Sequence, residues 1–413
     1  MKKILILPYK IDHSLSEMSH LSEGILEEII GLLSQNPLLK ISSRSTSLYL
    51  DNNILPLDEI KKRFNIDVVI EGNVRLKNGA YQLAGRLYNT ENEDVLLSSA
   101  LLLKPDQWIK AVDQFVEEVL ATLTDHRKQQ DLVHPGTSLA RDLYQKGLYH
   151  WNRYTYTELL MAVDYFKRSA KEDPTFALPF AGIADCYTVI GAMGYDEPKK
   201  TFALATQAVR SAIKLNSKRS ESYVAAAMLN IFYERDFPKA KSNLEQALKL
   251  NKDNLKAHHV LAMYYVHKGD LTKAKEHSAI TLKMDPLAIP HHAMFGRLTI
   301  YQRKFQLAID YVNTVSLIEQ TSVPLIEIRG MAHLFLEKYE LAIEDFKYCK
   351  NAIANDPMLI ANLAYAYSKS NFHEASRKEE EELRNLPIPR NTGIYDYSMG
   401  IVKLGQGDHK AFF

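Results

Sequence analysis

A chain of 413 residues can hold two or three domains, or one domain and a repeat array. With 46% hydrophobic and 24% charged residues it has the composition of a packed protein and not of a disordered one. Lysine plus arginine number 51 against 50 for aspartate plus glutamate, so no basic field draws it onto nucleic acid or an anionic membrane, and a partner recognised by shape is expected.

The amino terminus, MKKILILPYK, has a lysine pair but only four apolar residues before Pro8, too few for the apolar region of an export signal. No run of 18 apolar residues occurs, so no membrane span is expected and the location expected is cytoplasmic. Cys186 and Cys349 are too few for a disulfide framework and too far apart for a CxxC site, which fits small buried residues in a reducing compartment.

Residues 3–9 (KILILPY) form a short, β-branched apolar run and predict a buried strand. An amphipathic helix follows, with Leu21, Ile25, Ile29 and Leu33 four residues apart and Leu26 and Ile30 widening the stripe; Asn36-Pro37 stops it. Residues 38–44 (LLKISSR) predict a second strand. Residues 56–66 predict a helix that starts at Pro56 with acids in its first turn. A meander comes next: strands at 67–76 and 81–90 joined at Asn78-Gly79, the preferred two-residue hairpin chemistry, and a third strand at 95–103. A helix over 105–123, with Trp108, Val112, Phe115, Val119 and Leu123 on one face, closes an α+β domain with one mixed sheet over 1–125.

Four pieces of this domain, ILPY (6–9), SEGILEEII (22–30), SRSTS (43–47) and VIEGNVR (69–75), stand in an order and at spacings that resemble the TolB amino-terminal-like (FlgO-like) module. The likeness covers about residues 3–124; the module's usual ending is replaced here by LLSSALLLK (96–104). The resemblance implies the setting of bacterial transcriptional regulators and adenylate-cyclase-associated proteins, where this module and helical repeats are joined to a DNA-binding or cyclase domain. No stretch of this chain reads as either, so any effector is expected outside it.

After a linker at 126–137, residues 138–413 repeat. Ala240, Ala274, Ala308 and Ala342 are 34 residues apart. Four residues after each stand Leu244, Ser278, Val312 and Phe346; seven after, Ala247, Thr281, Val315 and Cys349; twelve before, Met228, Ala262, Gly296 and Gly330. Small residues at fixed offsets let two antiparallel helices approach and stack on the next pair, and this period is that of the tetratricopeptide repeat. Gly147, Ala162, Phe166 and Pro174 fit a first copy; Tyr187, Ala205 and Ala212 a second; Ala364, Tyr367 and Ala375 a seventh. Residues 395–413 open a truncated eighth, whose uncapped apolar face is expected to dock on a partner or on a second copy. The fold class expected is therefore an α+β domain followed by an all-α tetratricopeptide-repeat superhelix.

Groove-facing positions of that repeat fall on Leu229, Phe232 and Tyr233, then His259, Met263, Val266 and His267, then Arg297, Ile300 and Tyr301, then Glu327, Met331, Leu334 and Phe335, and last Tyr365 and Lys369. The groove is expected to be largely apolar and aromatic and to take an amphipathic helix or an extended apolar segment of a protein or peptide partner. Of these, Leu229, Phe232, Tyr233, Met263, His267, Arg297, Tyr301, Met331, Phe335 and Tyr365 are the candidate binding residues.

Nothing reads as catalytic. His258-His259 and His291-His292 are 33 residues apart, but no cysteine or acid at fixed spacing completes a metal site, and no metal or cofactor is expected. The segment SSRSTS (42–47) lacks the glycines of a phosphate loop and is expected to be a strand-end turn. The run RKEEEELR (377–384) is expected to be a solvated helix face. The function expected is non-enzymatic: regulation or scaffolding through the groove, without direct nucleic-acid contact. The alternative is a small-molecule or nucleotide sensor, with its ligand in the α/β domain or near Trp151 and Tyr154.

Overall fold

The computed structural model describes residues 2–15, 18, 20–53, 55–78, 80–104, 107–124, 136–153, 155–316, 322–353, 355–388 and 393–408. The chain packs as two units, Met1–Cys186 with Ala208–Ser217 and Tyr187–Gln207 with Lys218–Phe413.

In the first unit the order is β1 (Lys2–Ile6), β2 (Lys10–Ile11), α1 (Leu21–Leu33), β3 (Leu39–Ile41), α2 (Arg44–Asn52), α3 (Leu57–Phe64), β4 (Val68–Lys77), β5 (Ala80–Asn89), β6 (Val95–Leu103) and α4 (Trp108–Leu123). The sheet runs β3-β1-β4-β5-β6, with β2 beside β4. β1 is parallel to β3 and β4, and β4, β5 and β6 form the antiparallel meander. Alternation along β1 and β4 sorts the two faces: Ile4, Ile6, Val68 and Ile70 pack with α1 and α4, while Leu5 and Val69 pack with Leu50 of α2 and Ile60 of α3. Both faces are buried only where the two strands pair, at Ile4–Ile6 and Val68–Ile70, and those are the stretches that read as apolar runs. Trp108 and Phe115 of α4 are fully buried against the first face. Gly72 and Gly85, opposite each other on β4 and β5, make room for the rings: a Cβ would lie 2.3 Å from Tyr9 at the first and 2.4 Å from Phe115 at the second.

The strand expected over 38–44 is shorter, and the expected turn at 42–47 is the start of a helix. Ser43 accepts the Thr46 N–H at 3.2 Å as the N-cap of α2, and the Arg44 guanidinium lies 2.6 Å from Glu23 and 3.0 Å from Glu27 of α1. A serine followed three residues on by a second hydroxyl is a cap signal that outweighs the weak strand pattern. Pro56 is the N-cap residue of α3 and not its first helical residue. Asn78 has a positive φ of 52°, while Gly79, Pro105, Asp106 and linker residues 126–135 lie outside the described residues.

Helices α5 (Ser138–Trp151) and α6 (Tyr156–Glu172) form the first helical pair, capped by Thr137 and Thr155. Within the first unit α5 is fastened to α1 and α4 by charge. Arg141, 2% exposed, donates from Nε to Glu28 at 2.8 Å, with a second, shorter bond from Nη2, and forks onto Asp113 at 2.9 and 2.6 Å. Gln145 donates to the other Glu28 oxygen at 2.6 Å, and Trp108 Nε1 donates to Asp142 at 2.7 Å. A guanidinium removed from water is tolerable only when its donors are matched this fully.

The later pairs are α7 (Leu178–Ala192) with α8 (Pro198–Leu215), α9 (Ser220–Leu229) with α10 (Phe237–Leu250), α11 (Leu255–His267) with α12 (Leu271–Met284), α13 (Ile289–Tyr301) with α14 (Phe305–Val315), α15 (Val323–Phe335) with α16 (Tyr339–Ala352), and α17 (Pro357–Lys369) with α18 (His373–Asn385); α19 (Gly393–Gly405) is a single helix. The boundary between the two units falls inside α7 and α8. Ala240, Ala274, Ala308 and Ala342 are all fully buried, as are Leu244, Ser278, Val312 and Phe346. The turns inside the pairs repeat as well. Arg235, Gly269, Arg303, Glu337 and Asn371, each 34 residues after the last, all have φ between 54° and 74°. From Gly269 onward the same two bonds close each helix, for example Asp270 N–H to Tyr265 O and Gly269 N–H to Val266 O, both 2.9 Å. At the first of these turns α9 ends in a π-helical turn, Asn230–Glu234.

The charged run expected to be a solvated face is one at Arg377, Lys378, Glu381 and Arg384, which are exposed, but Glu379, Glu380 and Glu382 form an interhelical seat. Glu380 accepts from Lys403 at 2.8 Å and Gln406 at 2.6 Å of the α19 region and from Arg384 at 2.6 Å. Burial pushes its carboxyl up, but those bonds outweigh it and bring the pKa to about 2. Lys350 of α16 meets Glu379 and Glu382 at 2.6 and 2.7 Å. α19 ends in the same left-handed turn, at Gly407 with φ 87°; residues 409–413 lie outside the described residues.

Both tryptophans, Trp108 and Trp151, belong to the first unit, so their fluorescence reports on it alone. Arg141→Ala strands the buried Glu28 and the half-buried Asp113 and should cost about 3 kcal/mol in urea unfolding followed by that signal. In the repeats, Gly269→Ala should lose about 1 kcal/mol and Arg303→Gly should gain up to about 1 kcal/mol, because only the first introduces a Cβ into a left-handed turn; helical circular dichroism during denaturation reads both.

Candidate functional site

Three rows of side chains follow the 34-residue period along the first helices of the pairs in the second unit. The first row is Tyr233, His267, Tyr301, Phe335 and Lys369, where each helix ends. Tyr233, Tyr301 and Phe335 are 44%, 51% and 47% exposed. Half-exposed aromatics at one repeated position are uncommon for a packed core and suit a contact surface. Two of them are braced by neighbouring rings: Phe202 stacks on Tyr233 at 4.4 Å and Phe305 stacks on Phe335 at 5.0 Å; His267 of the same row meets Phe232 edge-on at 5.7 Å. Phe202, Phe237 and Phe305 were not among the sequence candidates. The signal for the last two is the series Phe237, Leu271, Phe305 and Tyr339, the first residues of α10, α12, α14 and α16, again 34 apart.

The second row is Leu229, Met263, Arg297, Met331 and Tyr365. Leu229 does not belong to a surface: it is 3% exposed, at the end of α9 where the π-helical turn begins. Met263 is half-buried, and Met331 is half-buried against the cluster that holds Phe346 and Cys349. Arg297 is exposed and donates to Glu327 of the next repeat at 3.1 Å, so its charge is balanced. Tyr365 is half-buried beneath Lys369, whose Nζ lies 5.4 Å from the ring centre, and the α19 backbone approaches it so closely that a Cβ at Gly405 would lie 2.9 Å from its Cα. Ile300 is buried, while Val266 and Leu334 are half-buried. The third row carries His259 and Glu327 between Ala225, Ala293 and Ala361.

His258, His259, His277 and His291 pair with one another, whereas His333 meets Asp345 at 2.9 Å and His150 meets Glu158 at 2.6 Å. His259 and His291 bring Nδ1 atoms within 3.4 Å across α11 and α13, and His258 and His277 do so at 3.1 Å. His292 is held by Tyr311 Oη at 2.7 Å and Pro286 O at 2.8 Å. Among the described residues no group of three or more His, Cys, Asp or Glu side chains is placed to hold a metal. Both cysteines are buried, and burial raises the Cys349 thiol to about 12.

The α/β sheet carries a separate cleft of about 420 Å³ beyond the carboxyl end of β1, beside the middle of β4 and β5, lined in part by Pro8, Asp51, Glu71, Asn73, Arg75 and Arg86. The chain leaves β1 toward β3 on one side and returns to β4 on the other, so this cleft stands at the switch point where open α/β sheets take ligands. Its charges are mixed. Trp151 is half-buried at the end of α5, and Tyr154 lies outside the described residues.

Burial, with His291, Arg297 and Lys256 adding repulsion, lowers His259 to about 4 from 6.5. His267, His277 and His291 are lowered, first by burial as well, although Asp285 acts upward on His291 and Glu276 on His277. Each folded value lies below the unfolded one, so the stability tied to neutral imidazoles is complete above pH 6.5 and is lost as pH falls toward 4. The thermal midpoint of the helical signal should fall across that window, and His259→Gln should flatten the slope.

No family model matches the chain, and no curated protein matches it. Among solved structures it is similar to the Cut9–Hcn1 hetero-tetramer of the APC/C, at 13% identity and a TM-score of 0.50, over 73% of this chain and 55% of that one. It is also similar to a tetratricopeptide repeat protein from Parabacteroides merdae, at 14% identity and a TM-score of 0.45, over 64% of this chain and 98% of that one. Identity at this level bears on the fold alone. Together with the 34-residue helix pairs, the fold is a mixed-sheet α/β domain followed by a tetratricopeptide-repeat superhelix.

Proposed function

We propose that the repeats dock a protein partner through an apolar peptide segment laid across Phe232, Tyr233, Met263, Tyr301, Met331 and Phe335, and that the chain works as a non-enzymatic regulatory or scaffold protein. The observation that carries this reading is the row of half-exposed aromatics, Tyr233, Tyr301 and Phe335, of which the first is held by Phe202 and the last by Phe305. Rigid aromatic anchors supply contact area at low entropic cost, and repeats present them at a fixed interval. The balanced Arg297–Glu327 pair and the neutral histidines favour an apolar segment over an acidic one. The likeness of residues 3–124 to the TolB amino-terminal-like module supports a place in a bacterial transcriptional regulator, with an effector domain elsewhere. A second reading, a small-molecule or nucleotide sensor, is favoured by the cleft at the β1–β4 switch point.

Peptides selected from a random display library on the intact chain, then titrated by fluorescence anisotropy, test the docking role. Tyr301→Asp with Phe335→Asp should weaken them by roughly a hundredfold, since burying two charges at the anchors costs at least about 3 kcal/mol. Unchanged affinities would remove the aromatic row from the binding surface. A thermal shift with nucleotides that is abolished by Arg75→Ala and Arg86→Ala would move the function to the cleft.

A further inference from the structure

The two edges of the sheet are built differently. The β3 edge is three residues long with Lys40 at its centre, both ordinary protections against pairing with another chain. The β6 edge is nine residues, VLLSSALLL, with no charge and no proline. Among the described residues β6 pairs only with β5, so its outer N–H and C=O groups face away from any partner strand. Val95 is 54% exposed and Leu102 63%. The one protective feature is an irregularity at its start, where Leu87 faces Leu97 and Tyr88 faces Val95, which leaves Leu96 as an extra residue.

This strand reads almost the same in both directions about Ser99. Leu97 mirrors Leu101, Ser98 mirrors Ala100, Leu96 mirrors Leu102 and Val95 mirrors Leu103; one step further, Asp94 mirrors Lys104. An antiparallel copy laid against the edge with its two-fold axis at Ser99 therefore sets leucine against leucine. Past the extra residue Leu96 the pairing moves by one, so Val95 falls opposite Leu102, both exposed, and Asp94 lies one position from Lys104 of the other copy, at both ends of the strand. The register keeps the faces in phase, because Ser98, Ala100 and Leu102 lie on the exposed face with their counterparts while Leu97, Ser99 and Leu101 lie toward α4 with theirs. A shift by one residue would turn leucines to the wrong face.

We propose that β6 is a dimerisation strand: two copies of this chain join β6 to β6 antiparallel about a two-fold axis at Ser99, continuing the sheet from one subunit into the next. The contact is isologous, so it closes at two subunits and does not propagate. It is independent of peptide docking by the repeats.

Sedimentation equilibrium of the full chain across the micromolar range tests this. The wild type should be a dimer in equilibrium with monomer. S98K/A100K changes two exposed residues and sets lysine directly opposite lysine twice, so the dissociation constant should rise roughly tenfold or more. S98K/A100E sets lysine opposite glutamate and should keep the dimer. If either variant loses its circular dichroism, D94K, which brings a second positive charge one position from Lys104 of the other copy, should weaken the dimer, and D94K/K104D should restore it. A wild type that stays monomeric throughout overturns the proposal, as does a dimer indifferent to S98K/A100K and D94K, which would join elsewhere, for example at α19. Equal loss in the like-charge and opposite-charge variants overturns the two-fold register.

Discussion

The helical two-thirds of this protein depend on one steric constraint: two helices approach closely only where a side chain is no larger than a methyl group. Ala240, Ala274, Ala308 and Ala342 meet it once per repeat and are fully buried. Everything else in the period follows. A close pair needs a turn of fixed length, and that turn requires a left-handed residue. The chain accepts one at Arg235, Arg303 and Glu337 although only Gly269 and Asn371 are at ease there. The backbone is thus held to one geometry against local preference, which is the mark of packing overriding propensity.

A fixed period also turns single residues into rows. Tyr233, Tyr301 and Phe335 are unremarkable one at a time; at the same place in successive helix pairs they become a surface. Tyr233 and Phe335 are braced by residues elsewhere in the chain, Phe202 and Phe305, so these two anchors are preformed. In the first unit charge takes the role that small size takes in the repeats. Arg141 holds α5 to α1 and α4 through Glu28 and Asp113, and a buried ionic cluster of this kind admits one arrangement where apolar packing would admit several.

Much of this was legible in the residues. An apolar run marked β1 as a buried strand, the Asn78-Gly79 pair marked β4 and β5 as a hairpin, and four alanines at equal spacing marked the repeats. What was missed has a common cause. α2 is too polar to announce itself by periodicity, and only its Ser43 cap betrays it. Glu380 in the run 377–384 looked solvated because a sequence shows charges without their partners; Lys403 and Gln406 supply them from the next helix. Leu229 shares a repeat position with Met263 and Met331, yet it is interior where α9 gives way to a π-helical turn that no spacing rule foretells.

By itself the sequence determined the period, the class of each long element and the fold that joins them, because these rest on hydrophobic spacing along one chain, a local quantity. Only the tertiary structure decided which charges are paired, which aromatics are braced, which rows keep an exposed edge, and that β6 ends the sheet with its hydrogen-bonding groups unpaired. Those outcomes depend on neighbours distant in sequence, and neither spacing nor composition records who those neighbours are.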